Sequence, residues 1–232
     1  MILHTLFDLL AVLASLSMTV FVYRWRLAHA VQRIETLGMA YALSLVVGAV
    51  TGGFGVGTLN LWISGDGGIG RSIVGALAGA IVGIEIFKAR RGVKQSTGLV
   101  FVPAFAASVI VGRWGCFLSG MEDKTYGTPT TLLWGWDFGD GVLRHPVQLY
   151  ESFAMALFLI FALAMLARRN AFFMQTGFYL LVLFYAAQRF LWEFLKPYGT
   201  VIGPLNFFHL VCLGLCCYAL LMMEKSHERA NP

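Results

Sequence analysis

The sequence predicts an all-α integral membrane protein, with seven transmembrane helices in one polytopic domain over residues 1–232. Its composition is the first reason: 58% of the residues are hydrophobic and 12% are charged, whereas a soluble domain carries about 25% charged residues. The second reason is that the apolar residues form runs of the roughly 20 residues that a spanning helix needs. The third is the one-sided placement of positive charge. These observations exclude a soluble fold and, with it, a nucleic-acid partner, which requires an exposed basic face.

Seven stretches are long and apolar enough to be spans. They are 2–23, 38–62, 70–87, 97–118, 148–167, 173–195 and 203–223. The first is followed by arginines, which favours a retained helix over a cleaved signal peptide. The third is short and rich in glycine, and it follows the connection LWISGDGGIG. Such glycines favour either close helix packing or a re-entrant turn that lines a cavity.

The positive charges predict the orientation. Eleven of the 17 Lys and Arg residues follow spans one, three, five and seven: Arg24, Arg26, Arg33, Lys88, Arg90, Arg91, Lys94, Arg168, Arg169, Lys225 and Arg229. The positive-inside rule then places the N-terminus outside the cell and the C-terminus in the cytoplasm. The other six lie in outward loops or within spans and need another explanation: Arg71, Lys124, Arg144, Lys196, Arg113 and Arg189.

Charged residues within two predicted spans indicate a polar site. Arg113 lies near the outer end of span four, and Arg189 and Glu193 lie four residues apart in span six. That spacing puts both on one helix face, together with Tyr185. Ionisable residues in a bilayer normally face the bundle interior or a wet cavity. Two interpretations stay open here: a self-neutralising Arg189–Glu193 pair that joins helices, and a site for an anionic ligand.

A long polar extracytoplasmic loop, about 119–147, connects spans four and five. It contains Glu122, Arg144 and His145. A loop of this length is more often functional than a simple connector, although a solvated cap over the helices is the alternative. Guanidinium groups bind phosphate in a bidentate manner and stay charged. With a histidine or glutamate as proton acceptor, the arginines indicate a site for the phosphate of a membrane lipid.

Three motifs resemble the prolipoprotein diacylglyceryl transferase family. GRWGCFLSG is similar to its GRxGNFxNGE, RHPVQLYE to its RHPSQLYE, and YAAQRFLWEFLK to its YGxxRxxxEFxR, in the same order. The resemblance implies a multi-pass transferase of the bacterial inner membrane, here in a shorter and divergent form. Such an enzyme moves diacylglycerol from phosphatidylglycerol to a prolipoprotein cysteine thiol and releases glycerol phosphate. It implies prolipoprotein signal peptides as partners and no cofactor or metal.

The resemblance also implies roles for individual residues. Arg113 and Arg189 match essential arginines, Glu193 would orient Arg189, and His145 or Glu122 would accept a proton. Further positions match the motifs and are implied to bind substrate: Tyr185, Arg144, Gly115, Gly120, Gln148 and Tyr150.

The chain departs from the family pattern at positions that bear on the chemistry. Cys116 and Ser119 replace asparagines, and Val74 replaces a histidine, for which nearby Arg71 is a candidate substitute. Cys116 is open to two interpretations, a packing residue or a nucleophile activated by Arg113. The four cysteines show no CxxC pair, so the sequence predicts no metal site. Because proton-transfer positions differ, the acceptor stays open, and a non-catalytic lipid-binding or lipid-transporting protein on the same fold is the alternative.

Overall fold

The computed structural model describes residues 2–65 and 67–230 and is 74% helical, which confirms the all-α prediction. The helices are α1 (Ile2–Val22), α2 (Ala28–Glu35), α3 (Gly38–Ile63), α4 (Ile73–Arg91), α5 (Val102–Leu118), α6 (Val147–Ala167), α7 (Ala171–Glu193) and α8 (Phe207–Ala230). The strands are β1 (Trp136–Asp137), β2 (Leu143–Arg144), β3 (Thr200–Ile202) and β4 (Leu205–Asn206). The side chains of Arg33, Asp123 and Arg229, and all of Asp66, lie outside the described residues.

Six helices of the described part are long and apolar enough to cross a membrane. They are Leu3–Gln32, Gly38–Ile63, Leu99–Leu118, Val147–Ala167, Ala171–Glu193 and Phe207–Glu228. The third predicted span forms α4, but four charged residues, Glu85, Lys88, Arg90 and Arg91, lie in its last seven positions. Glu85 pairs with Lys88 at 2.9 Å. A spanning role for α4 therefore stays a prediction.

Large apolar side chains on the long helices are exposed in the isolated chain. Leu9 on α1 is 60% exposed, and Phe153 and Ile160 on α6 are 67% and 66% exposed. Soluble proteins rarely show contiguous apolar surface of this kind. These side chains are suited to lipid, as expected for a multi-pass membrane protein.

The described residues divide into two compact units. The first contains the chain up to Ala28 together with Gly98–Pro197, and it holds α1, α5, α6 and α7. The second contains His29–Thr97 and the chain from Tyr198 onward, and it holds α3, α4 and α8. Every predicted site residue except Arg71 belongs to the first unit, so the site can be described within it.

Helix α5 is the central helix of the first unit and packs against both α1 and α6. Glycines on α5 allow α1 to approach closely: Gly112 faces Ala11, and a Cβ on Gly115 would lie 2.5 Å from the Cβ of Phe7. Because Gly112 meets the later residue of α1 and Gly115 the earlier one, the two helices are antiparallel. The start of α1 therefore lies beside the end of α5.

Glycines also join α3 and α4 in the second unit. A Cβ on Gly79 would overlap the carbonyl of Gly48, and a Cβ on Gly52 would overlap the carbonyl of Gly75. Small residues that let two backbones meet are typical of helix contacts in membranes. Of the two interpretations of the glycine-rich segment, close helix packing therefore holds for α4.

The predicted outer loop has more structure than its sequence pattern indicates. A 3-10 turn covers Gly120–Asp123, and β1 and β2 form an antiparallel hairpin. The Oδ1 atom of Asp137 accepts a hydrogen bond of 2.8 Å from the N–H of Gly139 and stabilises the hairpin turn. The N–H of Thr128 donates to the carbonyl of Leu195 at 2.6 Å. That bond ties the loop to the chain just beyond α7.

Candidate functional site

Glu151 lies at the centre of a buried ion cluster. Its carboxylate is 2.7 Å from Nε of Arg113, 2.7 Å from a terminal nitrogen of Arg189 and 2.8 Å from Nζ of Lys196. A second carboxylate, Glu193, lies 2.6 Å from Nε of Arg189 and 3.5 Å from Nζ of Lys196. None of the five residues is more than 5% exposed. We call this group the Glu151 cluster.

Three helices bring the Glu151 cluster together. Arg113 comes from α5, Glu151 from the first turns of α6, and the other three members from the end of α7 and the residues after it. The hydroxyl of Ser152 donates to the carbonyl of Ile110 at 2.9 Å, which holds α6 against α5. Charges taken out of water need close partners, and each member has one. The predicted shared face of Arg189 and Glu193 is confirmed.

The Glu151 cluster is rich in positive charge. When Lys196 is protonated, three cations face two carboxylates. Burial, and next the charge of Arg189, lower the pKa of Lys196, whereas the two carboxylates act in the opposite direction. The guanidinium groups stay charged whatever the pH. A site with an excess of buried positive charge is suited to an anion, so the Arg189–Glu193 pair is part of a larger arrangement and not a self-neutralising pair alone.

Two predicted residues lie one helical turn from the Glu151 cluster. Tyr185 is fully buried on α7, four residues before Arg189, and its ring meets Phe105 edge to face at a centroid distance of 5.1 Å. Gln148 is fully buried on α6 and donates to the hydroxyl of Thr125 at 3.2 Å. Gln148 thus holds the loop 119–147 close to the cluster.

His145 and Tyr150 contact each other at the start of α6. Nδ1 of His145 lies 3.4 Å from the hydroxyl oxygen of Tyr150, which also accepts a 2.9 Å hydrogen bond from Trp134. The ring of Tyr150 packs on Trp192 at a centroid distance of 5.3 Å. Because Trp192 directly precedes Glu193, the aromatic rings connect His145 to the end of α7 that carries the Glu151 cluster.

Arg144 and Glu122 lie in the loop 119–147. Arg144 on β2 pairs with Asp140 at 2.6 Å, and its guanidinium group lies 5.1 Å from the centre of the Tyr126 ring. The hydrogen bond from Arg144 holds the pKa of Asp140 below its ordinary value. Glu122 is exposed within the 3-10 turn. The structure thus pairs Arg144 with a loop carboxylate, and a shared phosphate with Arg113 and Arg189 stays a prediction.

Two glycines, Arg71 and Val74 complete the positions that the sequence singled out. Gly115 has no room for a side chain beside Phe7, and Gly120 has a φ of +64°, a conformation that favours glycine. Arg71 is exposed in the connection before α4, in the second unit. Val74 is buried in the first turn of α4, so apolar packing occupies this position.

Two members of the Glu151 cluster, Glu151 and Lys196, are not among the site residues that the sequence predicts. Glu151 is the last residue of the motif RHPVQLYE, and it comes three residues after Gln148. Lys196 comes three residues after Glu193, a spacing that puts both on one side of a helical turn. Both signals were available, but only the meeting of three helices shows that these side chains converge.

Long apolar helices that enclose arginines and carboxylates define a class, the polytopic membrane proteins with a polar site between helices. The sequence profile of the prolipoprotein diacylglyceryl transferase family matches residues 5–224. The chain belongs to that family, which confirms the resemblance of the three motifs and extends it to the first 70 residues.

Three curated relatives show how far the similarity reaches. A relative from Finegoldia magna is 31% identical over 158 residues, which cover 67% of this chain and 61% of the relative. A relative from Nitratidesulfovibrio vulgaris (strain DP4) is 32% identical over 159 residues, with coverages of 66% and 58%. A relative from Methylococcus capsulatus is 28% identical over 171 residues, with coverages of 70% and 63%. Each is named phosphatidylglycerol–prolipoprotein diacylglyceryl transferase, and the match spans about three fifths of its own length.

Proposed function

We propose that this chain is a phosphatidylglycerol-dependent diacylglyceryl transferase of the bacterial inner membrane. It moves diacylglycerol to the thiol of a prolipoprotein cysteine, or to a related extracytoplasmic acceptor, and releases glycerol phosphate. The observation that carries the proposal is the Glu151 cluster, in which Arg113, Arg189 and Lys196 converge on two buried carboxylates. The names of the relatives support the choice of donor and acceptor.

The proposed enzyme is a single polytopic domain of seven spans, with the N-terminus outside and the C-terminus in the cytoplasm. Basic residues at the end of α4, Lys88, Arg90 and Arg91, support a cytoplasmic location for that end. In this orientation the loop 119–147 and the end of α5 face outward. Signal peptides of prolipoproteins are the proposed partners on that side.

The reaction needs a leaving phosphate and a thiol that loses its proton. Arg113 and Arg189 bind the phosphodiester, and their guanidinium groups are oriented in advance by Glu151 and Glu193. The bond between the glyceryl carbon and the phosphate oxygen breaks while the acceptor sulfur bonds to that carbon. Cations fixed beforehand stabilise the negative charge that develops on the departing glycerol phosphate.

Other predicted residues complete the proposed site. His145 and Glu122 are the candidate acceptors for the thiol proton, since a positioned imidazole or carboxylate can act as a general base. The proposed substrate-binding positions are Tyr185, Arg144, Gly115, Gly120, Gln148, Tyr150 and Arg71.

The second candidate function is lipid binding or lipid transport without catalysis. It is favoured by Val74, which is 1% exposed and offers no acid or base at the position of the family histidine. Such a protein would keep the anion-binding cluster and lack the chemical step.

A transfer assay separates the two functions. The purified chain is incubated with phosphatidylglycerol vesicles and a lipobox peptide, and glycerol phosphate release is measured. Arg113→Lys and Arg189→Lys keep the charge but lose the planar fork, so release should fall at least about 100-fold. Arg168→Ala, at an exposed arginine directly after α6, is the matched control and should behave as the wild type.

The outcomes are distinct. Unchanged release by both lysine variants would contradict the assigned site. Tight binding of phosphatidylglycerol with no turnover of any thiol acceptor would instead support the lipid-binding function.

A further inference from the structure

A second constellation of polar side chains lies where α1 begins and α5 ends. The sulfur of Cys116 is 3.9 Å from Nε2 of His4 and 3.9 Å from a terminal nitrogen of Arg113. The other ring nitrogen of His4, Nδ1, lies 3.0 Å from Oδ2 of Asp8. A thiol, an imidazole and a carboxylate thus stand in series, with a guanidinium group on the far side of the thiol.

Antiparallel packing of α1 on α5 produces this series. His4 and Asp8 are four residues apart on α1 and therefore share one face. The backbone of α1 is close enough because Gly115, directly before Cys116, has no side chain and meets Phe7. All of these residues belong to the first unit.

The order of the groups is the one that a nucleophilic cysteine requires. A base must lie next to the thiol, and a third group must orient the base. Nε2 of His4 can take the thiol proton, while Asp8 holds Nδ1 as the protonated nitrogen and stabilises the imidazolium. The charge of Arg113 stabilises the thiolate. Contacts of this kind are often long before substrate binds, so 3.9 Å is compatible with the role.

The surroundings indicate which substrate can reach the thiol. Cys116 is buried, whereas the side chains of His4 and Asp8 are 19% and 46% exposed. Leu3, in the first turn of α1, and Leu118, the last residue of α5, are 50% and 45% exposed. Ends of spanning helices lie in the interfacial region of the bilayer, where phospholipids carry their carboxylic esters.

We propose that Cys116, His4 and Asp8 form a nucleophilic triad that accepts an acyl chain from a phospholipid ester as a thioester on Cys116. The thiolate attacks the ester carbonyl carbon, and Arg113 stabilises the oxyanion. The ester C–O bond then breaks, and the leaving alkoxide takes the proton from His4 to become the hydroxyl of a lysophospholipid.

A second nucleophile completes the cycle. Water gives a proton to His4, attacks the thioester carbonyl, and releases a fatty acid with return of the proton to the Cys116 sulfur. The thiolate is expected to attack the acyl carbonyl and not the glyceryl carbon. Water can hydrolyse the thioester that results, whereas a thioether on Cys116 would be a stable end product. This activity is separate from diacylglyceryl transfer, which breaks a bond at the phosphate ester and leaves both acyl esters intact.

An acyl-trapping experiment tests the triad. The purified chain is incubated with vesicles of phosphatidylglycerol that carries a fluorescent acyl chain, and label on the protein is followed on denaturing gels. Wild-type protein should take up label that hydroxylamine removes and that peptide mass spectrometry locates on Cys116. Cys116→Ala should abolish the label, whereas Cys217→Ser, at an exposed cysteine on α8, should keep it.

Variants of α1 separate catalysis from structure. His4→Ala should slow labelling about 100-fold, and added imidazole should restore part of the rate because His4 is partly exposed. Asp8→Asn should slow labelling in the same direction, and Asp8→Glu, which keeps the carboxylate, should recover most of it. Circular dichroism confirms that each variant is folded.

Two results would overturn the triad. The first combines two observations on folded protein. The wild type takes up no hydroxylamine-sensitive label, and iodoacetamide alkylates Cys116 at the same rate in the wild type and in the His4→Ala variant. The other is equal acyl labelling of wild type and His4→Ala. Glycerol phosphate release is measured on the same samples, so a failed triad and a failed transferase are recognised separately.

Discussion

Two arginine–carboxylate pairs in the first unit have almost the same length and very different surroundings. Arg144 and Asp140 are 2.6 Å apart on the hairpin, with side chains 16% and 26% exposed. Arg189 and Glu151 are 2.7 Å apart between helices, with side chains 5% and 0% exposed. Water and salt screen the first pair, which therefore contributes little to stability. Loss of one partner from the second pair leaves a buried charge without compensation.

Burial, and not distance, decides what each of these two ion pairs does. In the Glu151 cluster both arginines contact carboxylates, and all of these side chains are kept away from water. On the hairpin, the same contact only orders a loop. A preorganised and shielded cation stabilises developing negative charge far better than a mobile exposed one, so the helices and not the hairpin provide the charge for the proposed chemistry.

The largest effect is expected from Glu151→Gln. The substitution removes the carboxylate shared by Arg113, Arg189 and Lys196. We expect the free energy of unfolding in detergent to fall by about 3–5 kcal/mol, because three buried cations lose their common counterion. Glu224→Gln, at an exposed glutamate on α8, is the control. A denaturation midpoint as high as that of the control would show that the cluster does not hold the helices together.

A smaller effect on stability, with a clear effect on activity, is expected from Lys196→Met. The substitution leaves two arginines facing two carboxylates, so the remaining charges balance. Stability should change less than with Glu151→Gln, because no buried charge is left without a partner. Glycerol phosphate release should still fall at least about tenfold, because one of the three basic groups that would stabilise the departing phosphate is gone.

Lys225→Met, at an exposed lysine of α8, is the matched control for charge. Equal losses of stability in Lys196→Met and Glu151→Gln would mean that charge balance is unimportant in the cluster. Full activity of Lys196→Met would remove the lysine from the proposed site.

The smallest effect is expected from Asp140→Asn. The melting temperature should be unchanged, since the pair with Arg144 is exposed. The hydrogen bond from Arg144 lowers the pKa of Asp140. Any contribution of the pair to the free energy of unfolding is therefore fully present above the ordinary aspartate pKa, and it is lost as the pH falls through the lowered pKa. About 1 M NaCl should also remove any difference between variant and wild type, because the Debye length is then about 3 Å. A large loss of stability that persists at high salt would show that water and salt do not screen the hairpin pair.

Local sequence patterns were enough to predict most helices and one pair of the site. Runs of apolar residues mark the long helices, and the four-residue spacing of Arg189 and Glu193 places them on one face. The hairpin in the loop 119–147 could not be predicted, because strands of two residues are too short to show an alternating pattern. The four charged residues near the end of α4 lower its hydropathy, so apolar run length alone does not assign α4 as a membrane span.

The sequence by itself determined the helical membrane class and the family, and it supplied Arg113 and Arg189 as candidates for a phosphate site. It could do so because composition, apolar run length and short motifs are properties of neighbouring residues. The tertiary structure decided that Glu151 joins Arg113 to Arg189 and Lys196, and that Cys116 meets His4, 112 residues away in the chain. Those contacts depend on which helices pack together and on where glycine allows close approach, and no local pattern encodes that.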